Sequence, residues 1–166
     1  MAAITLRGQP VQTSGTIPSV GSAAPNFTVA ENDLSDLSLK DLRGSKVILN
    51  IFPSVDTSVC AMSVRHFNES AARIPGTVVL CISKDLPFAQ DRFCGAEGID
   101  RVKTVSAFRC DTFNKKYGLQ MTTGPLRGLL ARAVLVLDET GKIIYSELAE
   151  EIAQEPNYEA ALAAAQ

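Results

Sequence analysis

The chain is predicted to form an α/β fold, a central mixed β-sheet with helices on both faces. Three observations carry this. Short apolar runs of strand length, residues 47–52 and 77–83, alternate with segments of helical spacing, and that alternation calls for crossover connections. A later run, residues 132–138, meets a second β-rich run at 143–148 across the turn residues Glu139-Thr140-Gly141-Lys142, which adds antiparallel pairing. The length of 166 residues matches one domain at roughly 150 residues each, spanning 1–166. A chain of this size buries about 70% of its unfolded surface and needs no disulfide staples.

The elements follow in order. The first 30 residues are polar and turn-rich. Segments 3–6 and 11–13 flank Gly8 and Pro10 and are expected to pair as an N-terminal β-hairpin. Residues 17–27, with Pro18 and Pro25, read as a loop. The run VILNIF follows the turn residues Arg43-Gly44-Ser45 and suits a strand buried on both faces. Residues 58–73 place Val59, Met62, Phe67 and Ala71 at loose helical intervals before Pro75-Gly76. TVVLCIS is a second buried strand. Asp85 and Pro87 open a second helix, which stops at Gly95 and Gly98. Residues 103–108 form a strand and 111–117 a short helix closed by Gly118. A last helix covers 157–165, with Pro156 ahead of it.

Composition excludes several functions. With 46% hydrophobic and 20% charged residues the chain is an ordinary globular protein rather than a disordered one. Sixteen basic against eighteen acidic residues leave a net charge of -2, which argues against nucleic acid as a partner. No apolar run approaches the roughly 18 residues needed to span a membrane, so no membrane partner is expected. The apolar part of MAAITLRGQP is too short for a signal peptide, so a cytoplasmic location is expected, with the periplasm left open. In that compartment cysteines rest as thiols unless they do redox chemistry.

Attention therefore falls on Cys60, Cys81, Cys94 and Cys110, separated by 21, 13 and 16 residues. None of these gaps is a zinc-pair spacing, the chain has one histidine, and C-x-x-C is absent, so neither a metal site nor a thioredoxin-type dithiol is expected. Cys60 follows a buried strand and the loop PSVDTSV, in the first turns of a predicted helix. Free N–H groups and the helix dipole stabilise a thiolate there. Thr57 offers a hydroxyl to the sulfur or to a substrate. An inert buried thiol is the alternative, and local context leaves the two open. His66 lies about 600° of helical rotation and about 9 Å of rise beyond Cys60, which makes a local Cys–His dyad poor and a surface or half-buried histidine the expectation.

The other cysteines divide. Cys81, inside an apolar strand, reads as a small core hydrophobe. Cys94 sits near a glycine-flanked helix end, either packed under a loop or free to unwind toward Cys60 as a resolving thiol. Cys110 has no evident role. Arg132 opens a strand, where it is either a surface charge or a guanidinium delivered to a neighbouring site. GPLRGLLAR lacks the phosphate-loop pattern, and neither G-x-S-x-G nor H-E-x-x-H occurs.

Pro53, Thr57 and Cys60 in NIFPSVDTSVC match the pattern P-x-x-x-[TS]-x-x-C, and the chain resembles the peroxiredoxins through it. DLPFAQDRFCGAEG and GPLRGLLARAVLVLD extend the resemblance to the atypical two-cysteine thiol peroxidase subgroup over nearly the whole chain. The resemblance implies a thioredoxin-like fold, Cys60 as peroxidatic and Cys94 as resolving cysteine, and Thr57, Arg132 and Pro53 as supporting groups. It also implies hydrogen peroxide and alkyl or lipid hydroperoxides as substrates, thioredoxin as reductant, no metal, haem or flavin cofactor, and a homodimer. Cys81 and Cys110 fall outside the family's catalytic pair. A thiol–disulfide oxidoreductase and a thioredoxin-like binding module with structural cysteines are the competing classes.

Overall fold

The computed structural model describes residues 3–166. Strands β1 (Ala3–Leu6) and β2 (Gln9–Gln12) pair antiparallel as the expected hairpin, with Ile4 opposite Val11. Seven strands make the main sheet: β3 (Thr28–Ala30), β4 (Asp36–Ser38), β5 (Val47–Ile51), β6 (Val78–Ser83), β7 (Lys103–Ser106), β8 (Ala133–Leu137) and β9 (Ile143–Leu148). Their order across the sheet is β4-β3-β7-β6-β5-β8-β9. The central β5–β6 and β6–β7 pairs are parallel, and the flanking pairs are antiparallel. The helices are α1 (Ser58–Ser70), α2 (Pro87–Glu97), α3 (Thr112–Lys115) and α4 (Tyr158–Ala165), with 3₁₀ turns at Leu39–Leu42 and Ala71–Arg73.

β3 and β4 are the elements that sequence patterning does not reveal. Each is three residues long, too short for period-2 alternation to register. They are joined by a tight turn in which Leu34 takes φ of +72° and the Ser35 N–H donates to Asp33 Oδ1 at 3.0 Å.

The continuous apolar runs have the predicted cause, since β5, β6 and β8 are covered on both faces. On one face Val47, Leu49, Ile51, Leu80, Ile82 and Leu135 pack with Phe27, Leu39, Phe113 and Tyr117. On the other, Ile48, Val79, Cys81, Val134 and Val136 pack with α1, α2 and α4 through Val64, Phe67, Phe93 and Leu162. Helical cover is thus unequal, with three helices on the second face and only the four-residue α3 on the first. The first face is closed instead by loop segments. At Gly118 (φ +65°) a Cβ would stand 2.5 Å from the Gly15 carbonyl carbon, so the chain crossing there requires glycine.

A third cluster, Ile4, Val11, Met121, Ala131 and Ile152, seats the hairpin against the loop after β9. Glu151 fixes it in place. Its carboxylate accepts from Thr5 Oγ1 at 3.0 Å, Gly8 N at 2.9 Å and Ala153 N at 2.8 Å. The backbone donors, Ala153 and Gly8 foremost, lower its pKa to about 2.

α1 and α2 are held very differently. α1 buries Cys60, Ala61, Ser63, Val64, Phe67 and Ser70, whereas α2 buries only Pro87, Gln90 and Phe93. Full burial of a large apolar side chain is worth about 1.5–3 kcal/mol, so α2 has much the weaker hold. It ends at Gly98 in the left-handed conformation (φ +66°), whose N–H returns to the Cys94 carbonyl.

Candidate active site

Cys60 is the third residue of α1, fully buried, with Thr57 as the helix N-cap. The first-turn N–H groups have no acceptor within the helix and present partial positive charge to the sulfur. Downstream, Ser63 Oγ donates to the Cys60 carbonyl at 2.7 Å, and Asn50 Nδ2 donates to Ser63 Oγ at 3.2 Å, which ties the turn to β5.

Arg132 comes from the residue before β8, 72 positions away in sequence. The structure removes the surface-charge reading, because Arg132 is only 1% exposed. Its Nη2 donates to Cys60 Sγ at 3.3 Å and its Nε to the Ile152 carbonyl at 2.8 Å. Nη1 is buried without an acceptor among the described residues. No carboxylate among those residues forms an ion pair with Arg132. A buried guanidinium needs a compensating anion, and the sulfur it touches becomes one on losing its proton. Unit charges 4 Å apart interact by about 4 kcal/mol at an effective dielectric of about 20, against roughly 1 kcal/mol for a helix terminus. Arg132 is thus the charged group in direct contact with this sulfur.

Arg132 lines a groove of about 520 Å³ together with Leu6, Pro10, Val11, Pro53 and Thr57, while Cys60, in contact with Arg132, is fully buried and does not itself line it. The hairpin forms one wall, and Gly124, Pro125 and Leu126 also line it. Pro53 is buried and lies along the same groove. Thr57 lines it too, but its Oγ1 donates to the Ser54 carbonyl at 3.0 Å rather than to the sulfur. Its lone pairs stay available to a donor in the groove.

Cys94 is placed elsewhere. It is partly buried on α2, with its sulfur 3.1 Å from Thr104 Oγ1 on β7. Thr104 Oγ1 in turn donates to Asn32 Oδ1 at 3.2 Å. All four cysteines are free, so Cys60 and Cys94 occupy separate sites in this state. Cys81 lies in β6, fully buried, with burial pushing its thiol to about 12 against a weak contact from Asn50 at 3.6 Å. Cys110 packs against the opposite core, ahead of α3. His66 is half-buried and stacks on Tyr158 at 3.8 Å between ring centroids. Among the described residues no cluster of three or more His, Cys, Asp or Glu could hold a metal.

Sequence reasoning missed Asp85. From the sequence Asp85 reads only as part of a helix start, yet its carboxylate reaches the loop before Cys60, where Ser54 Oγ donates to it at 2.7 Å and Val55 N at 2.9 Å. An acidic side chain just after a buried strand, two residues before an N1 proline, was the available signal. The Ile152 carbonyl that orients Arg132 left none, since a backbone acceptor has no residue signature.

The chain matches the redoxin family model over residues 19–162. It is 59% identical over 164 residues to thiol peroxidases of Mycobacterium tuberculosis and Mycobacterium bovis, covering 99% of this chain and 98% of each relative. Among solved structures it is similar to a peroxiredoxin-like protein from Aquifex aeolicus, with a TM-score of 0.94 and 37% identity over 99% of this chain and 96% of that one. A thiol peroxidase from Chromobacterium violaceum shares the fold, with a TM-score of 0.88 at 21% identity over 95% and 91% of the two chains. With a buried cysteine at a helix start, a guanidinium on its sulfur and this thioredoxin-like architecture, the chain belongs to the redoxin family, among the peroxiredoxin-type thiol peroxidases.

Proposed function

We propose that the chain reduces hydroperoxides at Cys60, resolves the product with Cys94 and is recycled by thioredoxin. The observation that carries this reading is the buried Arg132 guanidinium, 3.3 Å from Cys60 Sγ, with Nη1 lacking an acceptor. One arm favours the thiolate. The other is a preorganised donor for a peroxide oxygen.

The Cys60 thiolate attacks the terminal peroxide oxygen, forming an S–O bond as the O–O bond breaks. The departing oxygen takes a proton and leaves as water or an alcohol, and Cys60, oxidised by two electrons, becomes a sulfenic acid. Arg132 and the first-turn N–H groups stabilise the charge on the departing oxygen. Pro53 keeps bulk water from the sulfur, and Thr57 accepts from the protonated peroxide oxygen. The Cys94 thiolate then attacks the sulfenic sulfur, the hydroxyl leaves as water, and an intramolecular disulfide remains. A thioredoxin dithiol reduces it by exchange. Both electrons come from sulfur, so the scheme calls for no metal or organic cofactor.

The apolar groove walls at Leu6, Val11, Leu126 and Ile152 support alkyl or lipid hydroperoxides alongside hydrogen peroxide. Leu86 and Phe88 at the start of α2 are exposed, as is Phe108, and they support a homodimer. The three core clusters share elements of one fold, which supports a single domain over 1–166. Among the described residues no helix is long and apolar enough to cross a membrane, and a cytoplasmic setting suits the reductant.

The test counts free thiols before and after one equivalent of peroxide, followed by a peptide map. Rapid loss of two thiols per chain with Cys60 joined to Cys94 is expected. Slow loss without that pairing would favour a structural module.

A further inference from the structure

We propose that Asp85 is a positioning residue that clasps the Cys60 loop to the start of the Cys94 helix and thereby sets the rate of disulfide formation. The inference rests on the Cys60–Cys94 reading above and concerns what must give way between the two oxidation steps.

The Asp85 carboxylate is shared between two segments. Ser54 Oγ donates to Oδ1 at 2.7 Å, while Val55 N and Ser83 Oγ donate to Oδ2 at 2.9 and 2.6 Å. Ser54 organises the loop leading to Cys60. Its carbonyl accepts from Thr57 Oγ1 and Thr57 N, and its Oγ accepts from Asp56 N. On the other side, Asp85 sits two residues before Pro87, the first residue of α2, and its own carbonyl accepts from Ser106 Oγ. Gln90 inside α2 donates to Ser83 Oγ at 3.1 Å, so the helix is joined to the same network.

Cys60 and Cys94 are free and bonded to different partners, Arg132 and Thr104, so a disulfide requires one segment or both to leave its place. The Cys60 loop is anchored on the Asp85 carboxylate by charge-assisted bonds, which are about twice as strong as neutral ones, and α2 is joined to that carboxylate through the Ser83 hydroxyl to which Gln90 donates. α2 otherwise has little apolar hold, with Phe93 its one large buried apolar side chain. The clasp therefore favours the closed form that receives peroxide and delays the open form that makes the disulfide. A second peroxide competes with that opening and would take the Cys60 sulfenic acid on to the sulfinic acid.

The experiment follows full-length protein by rapid quench and intact mass after mixing with hydrogen peroxide, over a range of peroxide concentrations. Wild type should show a bimolecular oxidation and then a unimolecular loss of sulfenic acid to disulfide. Absence of the second species in wild type would defeat the Cys60–Cys94 reading itself. Given that wild-type behaviour, Asp85→Asn should speed the unimolecular step on the order of tenfold and Ser54→Ala about threefold, in line with the loss of a charged acceptor and of one of its three donors. The sulfinic fraction at fixed high peroxide should fall with each. Phe113→Leu, on the far face of the sheet, lowers the melting temperature without touching the clasp and should leave the unimolecular step unchanged. Unchanged or slower disulfide formation in both Asp85→Asn and Ser54→Ala would overturn the proposal. So would equal acceleration in Phe113→Leu, which would make the effect general loosening.

Discussion

Cys60 and Cys81 are both fully buried on the same face of the sheet, yet their surroundings oppose each other. Cys81 lies mid-strand in β6 with one weak amide contact, and burial drives its thiol to about 12, so it stays protonated. Cys60 sits in the first turn of α1, where a buried guanidinium donates to its sulfur. Burial alone yields an inert thiol. Burial beside a guanidinium that has no carboxylate partner among the described residues is a different setting for a sulfur.

The sharpest break of this comparison is Cys60→Ser beside Cys81→Ser. The first should abolish peroxide consumption and the second leave it within about twofold, read by a peroxide-decay assay, because only one sulfur has a charge partner. Appreciable turnover in Cys60→Ser would remove its role as nucleophile. Next comes Cys94→Ser, in which the first oxidation should proceed at the wild-type rate while thioredoxin-driven cycling stops. Coupled NADPH consumption with thioredoxin and its reductase reads the second step, and a dimedone adduct on Cys60 the first. Undiminished cycling would misplace the resolving thiol.

Arg132→Ala should slow the peroxide step about 100-fold, the scale of losing a preorganised donor at a reacting centre. Stopped-flow oxidation at an unchanged rate would leave Cys60 no different from Cys81. The smallest effect belongs to the groove wall. Glu151 has its pKa lowered from 4.5 to about 2 in the folded protein by the backbone N–H groups it accepts from. Between those values the unfolded chain holds more protons than the folded one, so stability falls as pH falls from about 5 toward 2. The melting-temperature advantage of wild type over Glu151→Gln should therefore shrink across that window. A gap that stays constant with pH would show that the carboxylate charge does not hold the hairpin.

The readable part of the site was contiguous. Pro53, Thr57 and Cys60 lie within eight residues, and strand–loop–helix order already places a cysteine in a helix's first turn. The apolar runs likewise revealed β5, β6 and β8, because a strand buried on both faces leaves a continuous hydrophobic signature, and the Gly-containing turn after β8 revealed the half-buried edge strand β9. β3 and β4 left no such trace at three residues each. Asp85 was visible as a residue but not as a partner, since its bonds to Ser54 and Val55 cross from one loop to another.

By itself, then, the sequence determined the alternation of strands and helices, the cysteine at a helix start and the glycine-flanked end of α2. These are local properties, set by side-chain periodicity and backbone freedom over a few residues. Tertiary structure alone decided that Arg132 is buried rather than solvated, that its guanidinium meets Cys60 and not Cys81, and that Cys94 rests against Thr104. Those outcomes depend on strand order and on which face each residue takes. β8 pairs beside β5, and the residue before it is carried to the head of α1. Charge and burial act through space, so the same four thiols acquire different chemistry only once the sheet has placed their neighbours.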